Sequence, residues 1–346
     1  MERKFQILEA VIDEYIRTGE PVGSGTIKDR LPFAVSPATI RAEMSALEAE
    51  GYLGHPHTSA GRVPTVRGYR LYIDRMGGAA VSISEEEKQK LDNFFEGLEG
   101  EGDETIIDTA SHALSEITRC AIVATDTSAR FSVITKVDVI PTGRRMYVLL
   151  LVTSAGDIKN RVCRLSFDLT KEQTDFFIDF VRNNLEGASP ELLTPDFFEE
   201  LSIALGNYVM TLAPLLKVVA ELSEEMKTRR VLVKGETILI ESGDIGKNQL
   251  ISLLEHRNEV TELFDGAFSG ISVVFGEELS GERSIVVQNG ALLSGAFSKD
   301  GKPAGSLGVI GPLRLDYKKI IPYIEYFTQK VTGILSGEKE EEKDSE

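Results

Sequence analysis

The chain has 346 residues, 42% of them apolar and 27% charged, with a formal net charge of −17. That length predicts two or three domains rather than one core, and the composition is that of a globular protein, which excludes wholesale disorder. The opening MERKFQILEAVIDEY lacks a continuous apolar stretch and the longest purely apolar run is 146–152, so neither a secretory signal nor a membrane span is expected and the cytoplasm is the expected location.

Phe5, Leu8, Val11, Ile12, Tyr15 and Ile16 recur at helical spacing and predict an amphipathic first helix. Thr18-Gly19-Glu20-Pro21 ends it. A short second helix is expected over about 24–30, stopped by Leu31-Pro32. Ser36-Pro37 opens a third, since serine is a favoured N-cap and proline suits the first helical position; it should run to about Glu50 and stop at Gly51. Residues 52–67, punctuated by Gly, Pro and His, predict a β-hairpin. Three helices and a hairpin in this order make a winged helix-turn-helix.

Gly77-Gly78-Ala79-Ala80 is the clearest linker, and Ser84-Glu85-Glu86-Glu87 a new helix start. Residues 121–167 are strand-like, with 133–140 and 146–152 flanking a turn at Pro141-Thr142-Gly143. Residues 171–228 turn helical, with amphipathic stretches over 176–185 and 201–226. Strand character returns over 231–240, helix near 250–264, strand again over 271–315, and 318–335 is a closing helix. The two strand blocks around a helical block predict an insertion within one α/β domain; two consecutive domains are the alternative. Residues 336–346 form a charged tail expected to be disordered.

Placed on a helical wheel, the third helix turns Ile40, Met44 and Leu47 to one side and Ala38, Arg41, Ala42, Ser45 and Ala49 to the other. Small side chains let a helix sit deep in a major groove, where arginine is the commonest reader of guanine; the bland alternative is a solvated face of good helix formers. Local charge favours the first reading. Residues 1–76 hold ten basic and ten acidic side chains, so the acidic excess lies wholly beyond them, and 51–73 contains three arginines, two histidines and no acid. An acidic body with a locally basic head suits a protein that docks on phosphates through one small surface. Ser24 and Thr26, with Ser36 and Thr39 at the helix start, offer hydroxyls to phosphate. The loop His57-Thr58-Ser59-Ala60-Gly61-Arg62 offers small donors and an arginine, with Arg67 and Arg70 adding charge behind it.

Other signals carry little. His55-Pro56-His57 lacks the remaining ligands of a zinc site. GDIGKN at 243–248 lacks the spacing of a phosphate loop. Cys120 and Cys163 are expected as buried thiols, His112 and His256 are isolated, and no catalytic constellation is present, so no enzyme, cofactor or metal is expected.

The stretches YIRTGEPVGS at 15–24, Val35-Ser36 with Ala38-Thr39-Ile40-Arg41, Leu47-Glu48 with Gly51-Tyr52-Leu53, PHTSAGRVPT at 56–65, GYRLYID at 68–74, GVIGP at 308–312 and RLDY at 314–317 together resemble the HrcA family of heat-inducible repressors. Motifs at both ends mean that the resemblance spans essentially the whole chain. Ala42 stands where the family pattern leads one to expect asparagine, and Gly25 where a longer residue is usual. The resemblance implies a homodimeric repressor of chaperone operons that binds double-stranded DNA at an inverted-repeat operator called CIRCE and is kept active by the chaperonin GroEL. It also implies an α+β multidomain architecture: a winged helix-turn-helix over 1–76, a linker and helix over 77–105, a GAF-like α/β domain over 106–168 and 268–335, and an inserted, mostly helical dimerisation domain over 169–267. A metabolite-responsive winged-helix regulator, with a ligand in the GAF-like domain, is the competing expectation.

Overall fold

The computed structural model describes residues 2–56, 61–76, 83–98, 100–126, 132–227, 230–235, 237, 263, 270–279 and 290–337. The chain divides into two compact units, Met1–Ala124 with Leu232–Lys299 and Ser306–Glu346, and Thr125–Val231 with Asp300–Gly305. Helices and sheets are mixed in an α+β arrangement.

The first unit opens with α1 (Glu2–Thr18), which buries Ile7, Leu8, Val11 and Ile12 along one stripe. The expected second helix is absent: only a single 3₁₀ turn forms, at Lys28–Arg30, with no side-chain cap. Gly23 and Gly25 explain this, because glycine weakens helix initiation, and the segment is pinned instead by fully buried Ile27. α2 (Pro37–Ala49) forms as its signals predict: Ser36 accepts the Thr39 N–H at 3.1 Å, and Ile40, Met44 and Leu47 are buried. Gly51, at φ +79°, takes the left-handed conformation that stops the helix.

The hairpin follows as β1 (Leu53–Gly54) and β2 (Val63–Pro64), paired Leu53 to Pro64 and Gly54 to Val63. Val22 bridges Arg62 with reciprocal backbone hydrogen bonds of 2.8 and 2.9 Å, adding a third extended segment. Gly61 permits that approach, since a Cβ there would lie 2.5 Å from the Val22 carbonyl. The chain then enters α3 (Val66–Met76).

Beyond it come α4 (Glu85–Asp92), opened by a reciprocal Ser84–Glu87 capping box, and α5 (Asp103–Thr118). Next in the chain is β3 (Ala121–Asp126). Three antiparallel strands follow, β4 (Ile134–Gly143), β5 (Met146–Thr153) and β6 (Ile158–Arg164), in the order β4-β5-β6. Helices α6 (Lys171–Leu185), α7 (Pro195–Ala204) and α8 (Val209–Lys227) complete the second unit. The remaining strands are β7 (Arg230–Lys234), β8 (Ile271–Phe275), β9 (Gly290–Lys299) and β10 (Lys302–Pro312). They join β3 in a five-stranded sheet of order β7-β3-β10-β9-β8, and α9 (Tyr317–Leu335) packs on β9 and α5. β3, the first six residues of β9 and residues 304–311 of β10 are buried throughout or nearly so, which is why they read as continuous apolar or small-residue runs.

Two expectations about the middle of the chain change. Strands over 134–164 cluster with α6–α8 and, of the C-terminal strand region, only with Asp300–Gly305. Their inner residues Val137, Leu149 and Leu151 share one core with Phe177, Val181, Leu215 and Val219, so the half-buried sheet is covered by the helices that follow it. The β4–β5 turn also falls at Arg144-Arg145, two residues later than expected. A register irregularity between Pro141 and Gly143 carries β4 past its proline, and Arg145 takes positive φ while Asp168 accepts its N–H at 2.8 Å. The linker at 77–80, most of the strand and helix expected over 231–264, and the tail beyond Gly337 lie outside the described residues.

Gly68, inside α3, tests the packing of the hairpin on this helix. Alanine is the better helix former there, but its Cβ would stand 2.3 Å from the Tyr52 carbonyl oxygen. Gly68→Ala is therefore expected to destabilise the fold by about 1–3 kcal/mol, read as a lowered Tm; an unchanged or raised Tm would contradict this packing.

Candidate nucleic-acid interface

α2 turns Ala38, Arg41, Ala42, Ser45 and Ala49 to solvent, as the wheel anticipates, and Arg41 has no hydrogen-bond or ion-pair partner among the described residues. Ser36 and Thr39 are occupied at the helix start, their hydroxyls 2.9 Å apart. Ser24 is half-buried and Thr26 exposed in the turn before the 3₁₀ segment. The two glutamates of α2 and its C-cap Glu50 lie to the sides of this face and each meets a cation: Glu43 with Arg3 at 2.5 Å, Glu50 with Lys4 at 2.6 Å and Glu48 with Arg62 at 2.8 Å. The hydrogen bond to Glu50 raises the Lys4 ammonium above its ordinary pKa, so that pair holds both charges. The centre of the face is left with one arginine and small side chains.

Arg62 is braced rather than extended. Beyond Glu48 it contacts His55 Nδ1 at 3.0 Å, its side chain is only 16% exposed, and its Nε is buried without a partner among the described residues. With the backbone bridge to Val22, this clamps the hairpin base to α2. Arg67 is exposed with its guanidinium 4.8 Å from the centre of the Tyr52 ring. His57, Thr58 and Ser59 lie outside the described residues. Lys28, which the sequence reading passed over, is exposed on the 3₁₀ turn with no partner among the described residues; its place in the segment before α2 was the available signal.

Arg70 faces the opposite way. It donates to the Val273 carbonyl at 2.8 Å, pairs with Glu278, and lies 4.8 Å above the Phe275 ring. Beside it Tyr69, Phe275 and Tyr317 form a buried cluster, with Tyr69 5.6 Å from Tyr317 and 6.3 Å from Phe275 between ring centres. Burial raises the Tyr69 and Tyr317 hydroxyls well above the ordinary phenol value. Tyr72 donates to Asp13 at 2.5 Å, and Lys318 of α9 reaches Glu9 and Asp13 of α1 at 2.9 and 2.8 Å. One side of α3 thus joins the hairpin and α1 to β8 and α9.

Among the described residues no grouping of histidine, cysteine and carboxylates could hold a metal ion. Cys120 and Cys163 are free and buried, and burial pushes the Cys120 thiol up to about 11. No single helix among the described residues is long and apolar enough to cross a membrane.

Glu14 anchors the entry to this surface. It is buried, and it takes Arg17 and Arg30 each at 2.7 Å, tying the 3₁₀ turn to α1. The Arg17 hydrogen bond holds its carboxyl below the ordinary value of 4.5, against the effect of burial. Glu14→Gln should cost about 1 kcal/mol at neutral pH, since both arginines are well exposed. A depressed carboxylate stabilises above its unfolded pKa and stops doing so as pH falls through the folded value. The Tm difference between wild type and variant should therefore be full above about pH 5 and close below it; a gap independent of pH would contradict the pairing.

A family model described as the HrcA protein C terminal domain matches residues 104–321. A heat-inducible transcription repressor HrcA from Natranaerobius thermophilus is 30% identical over 342 residues, covering 97% of each chain. The one from Clostridium perfringens is 31% identical over 324 residues, covering 92% of this chain and 94% of that one. A crystal structure described as a hypothetical protein superposes with a TM-score of 0.64 at 22% identity, over 98% of this chain and 99% of that one, which shows a shared fold. On the family model and these near-full-length relatives, the chain belongs to the HrcA family of heat-inducible transcription repressors.

Proposed function

We propose that the chain represses heat-shock (chaperone) operons by binding, as a homodimer, an inverted-repeat CIRCE operator, and that heat or loss of support from the chaperonin GroEL inactivates it. The reading rests on one observation above the others: the exposed Ala38–Arg41–Ala42–Ser45 face of α2, with each glutamate of that helix paired to the side. In this reading α1, the 3₁₀ turn, α2 and the hairpin act as a winged helix-turn-helix, with α2 in the major groove. Arg41 reads a base, while Lys28, Arg67 and the hydroxyls of Ser24 and Thr26 meet phosphates. Arg62 fixes the angle of the wing rather than touching DNA, and Arg70 holds α3 in place. His57, Thr58 and Ser59 form the wing tip.

The five-stranded sheet with α5 and α9 serves as the GAF-like domain, and the inserted dimerising domain is the unit of β4–β6 and α6–α8. That unit presents an outer sheet face with an apolar patch beside the Lys136–Asp138 ion pair. Ile140, Val148 and Val162 are aligned across the three strands, as are Val152 and Ile158, and Ile158 and Val162 are 58% and 59% exposed. A second copy of the same face would bury it, and the resulting dimer carries two α2 helices for two half-sites. GroEL enters through the resemblance: if only the folded dimer binds DNA, whatever depletes that dimer derepresses by mass action.

A gel shift with the inverted repeat from the protein's own chaperone promoter, at modest ionic strength, tests the reading; no retardation by folded protein would overturn it. Arg41→Ala should lose about 1–3 kcal/mol of discrimination at one base position, whereas Arg67→Ala should weaken all sequences alike and reduce the salt slope by about 0.9. Unaltered base preference in the first, or an unaltered slope in the second, would remove that residue from the interface. Val162→Glu should give a folded monomer by analytical ultracentrifugation with much weakened operator binding; a persistent dimer would place the contact elsewhere.

A further inference from the structure

The first unit holds a cleft of ≈ 880 Å³ between the last turn of α1, the C-terminus of α5 and the first turns of α9. Its floor is apolar, formed by Ile16, Ile117, Leu315, Ile320 and Pro322. Five arginine and lysine side chains line it against three carboxylates, on a chain whose net charge is −17. Several of these charges are already matched. Lys318 is held by Glu9 and Asp13, Arg17 by Glu14, and Glu87 by Ser84 and the Tyr323 hydroxyl. The side chains of Arg119 and Lys319 are exposed and make no hydrogen bond or ion pair among the described residues; the Lys319 ammonium lies 5.8 Å from the centre of the Tyr323 ring.

Arg119 occupies a costly position. It closes α5 at φ 56° and ψ 36°, the left-handed C-terminal site that glycine fills without strain. Glycine would end the helix as well, so helix termination does not explain an arginine there. A cation at the rim of a cleft does.

We propose that this cleft binds a small amphipathic anion, a carboxylate, sulfonate or phosphate carrying an apolar body. Arg119 and Lys319 hold the charged group, and the Ile117–Leu315–Ile320 floor takes the body. The volume lies within the range of small-molecule sites, and an apolar lining with a few convergent charges is their usual chemistry. Because α1 forms one wall and α5 and α9 the others, an occupant ties the helix that supports α2 to the sheet. It would therefore raise the Tm of the unit by linkage.

Anilinonaphthalene sulfonate, which is amphipathic, anionic and fluorescent in apolar sites, is the probe, titrated against the full chain. Wild type should bind it with an affinity that falls as salt rises. Arg119→Gly should weaken binding by about tenfold or more without lowering Tm, since glycine suits the backbone there. Lys319→Gln should weaken binding too, which keeps the test decisive should Arg119→Gly fail to fold. Lys171→Gln, at the exposed start of α6 in the second unit, should leave binding unaltered. No binding by wild type, equal binding by folded Arg119→Gly and Lys319→Gln, or loss of binding in Lys171→Gln would each overturn the proposal.

Discussion

The rings of Tyr69, Phe275 and Tyr317 meet where α3 joins the sheet, Phe275 edge-on to Tyr317 and Tyr69 tilted against both, and the placement of the rest of the N-terminal segment depends on that contact. Aromatic pairs of this kind contribute about 0.5–1.5 kcal/mol each beyond their buried area. Arg70 extends the contact by lying over Phe275 and bonding to Val273 and Glu278. Lys318 closes it from the other side, on Glu9 and Asp13. α1, which carries α2, and the hairpin clamped to α2 are thus held by α9 and β8. In the proposed repressor, strain or loosening in the sheet would be felt where DNA is read, and a folding equilibrium could serve as the heat sensor without a dedicated switch residue.

Charge is organised on the same principle of local pairing. A protein this acidic repels DNA unless its reading surface is cleared of carboxylates, and α2 achieves that by turning Glu43, Glu48 and Glu50 onto Arg3, Arg62 and Lys4. The arginine at the hairpin base is spent on this clearance. In the proposed reading it contributes geometry, and the exposed cations Arg41, Lys28 and Arg67 supply the attraction to DNA.

Features set by neighbouring residues were legible in the sequence. Ser36-Pro37 and Gly51 bound α2, Ser84 and Glu87 open α4, and the inward stripe Ile40, Met44, Leu47 is the one the wheel anticipates. The PHTSAGRVPT block and its companions identified the family. What escaped depends on partners far along the chain. Arg70 and Glu278 are 208 residues apart, so nothing local distinguishes Arg70 from a phosphate-binding arginine. Strand periodicity over 134–164 reports a buried face but not which helices cover it, and so these strands were expected to group with the C-terminal strands rather than with α6–α8. The second helix failed for a local reason, the glycine pair at 23 and 25, given too little weight beside the helix-turn-helix pattern.

Cooperative unfolding of the hairpin with the sheet is the most direct test that α3 joins them mechanically. The chain has no tryptophan, so Tyr52→Trp reports the hairpin and, in a second protein, Tyr326→Trp reports α9. Urea unfolding followed by the two fluorescence signals should give coincident midpoints and slopes. A hairpin signal that melts at clearly lower urea than the α9 signal would show that the aromatic contact does not couple the two, and would contradict the account.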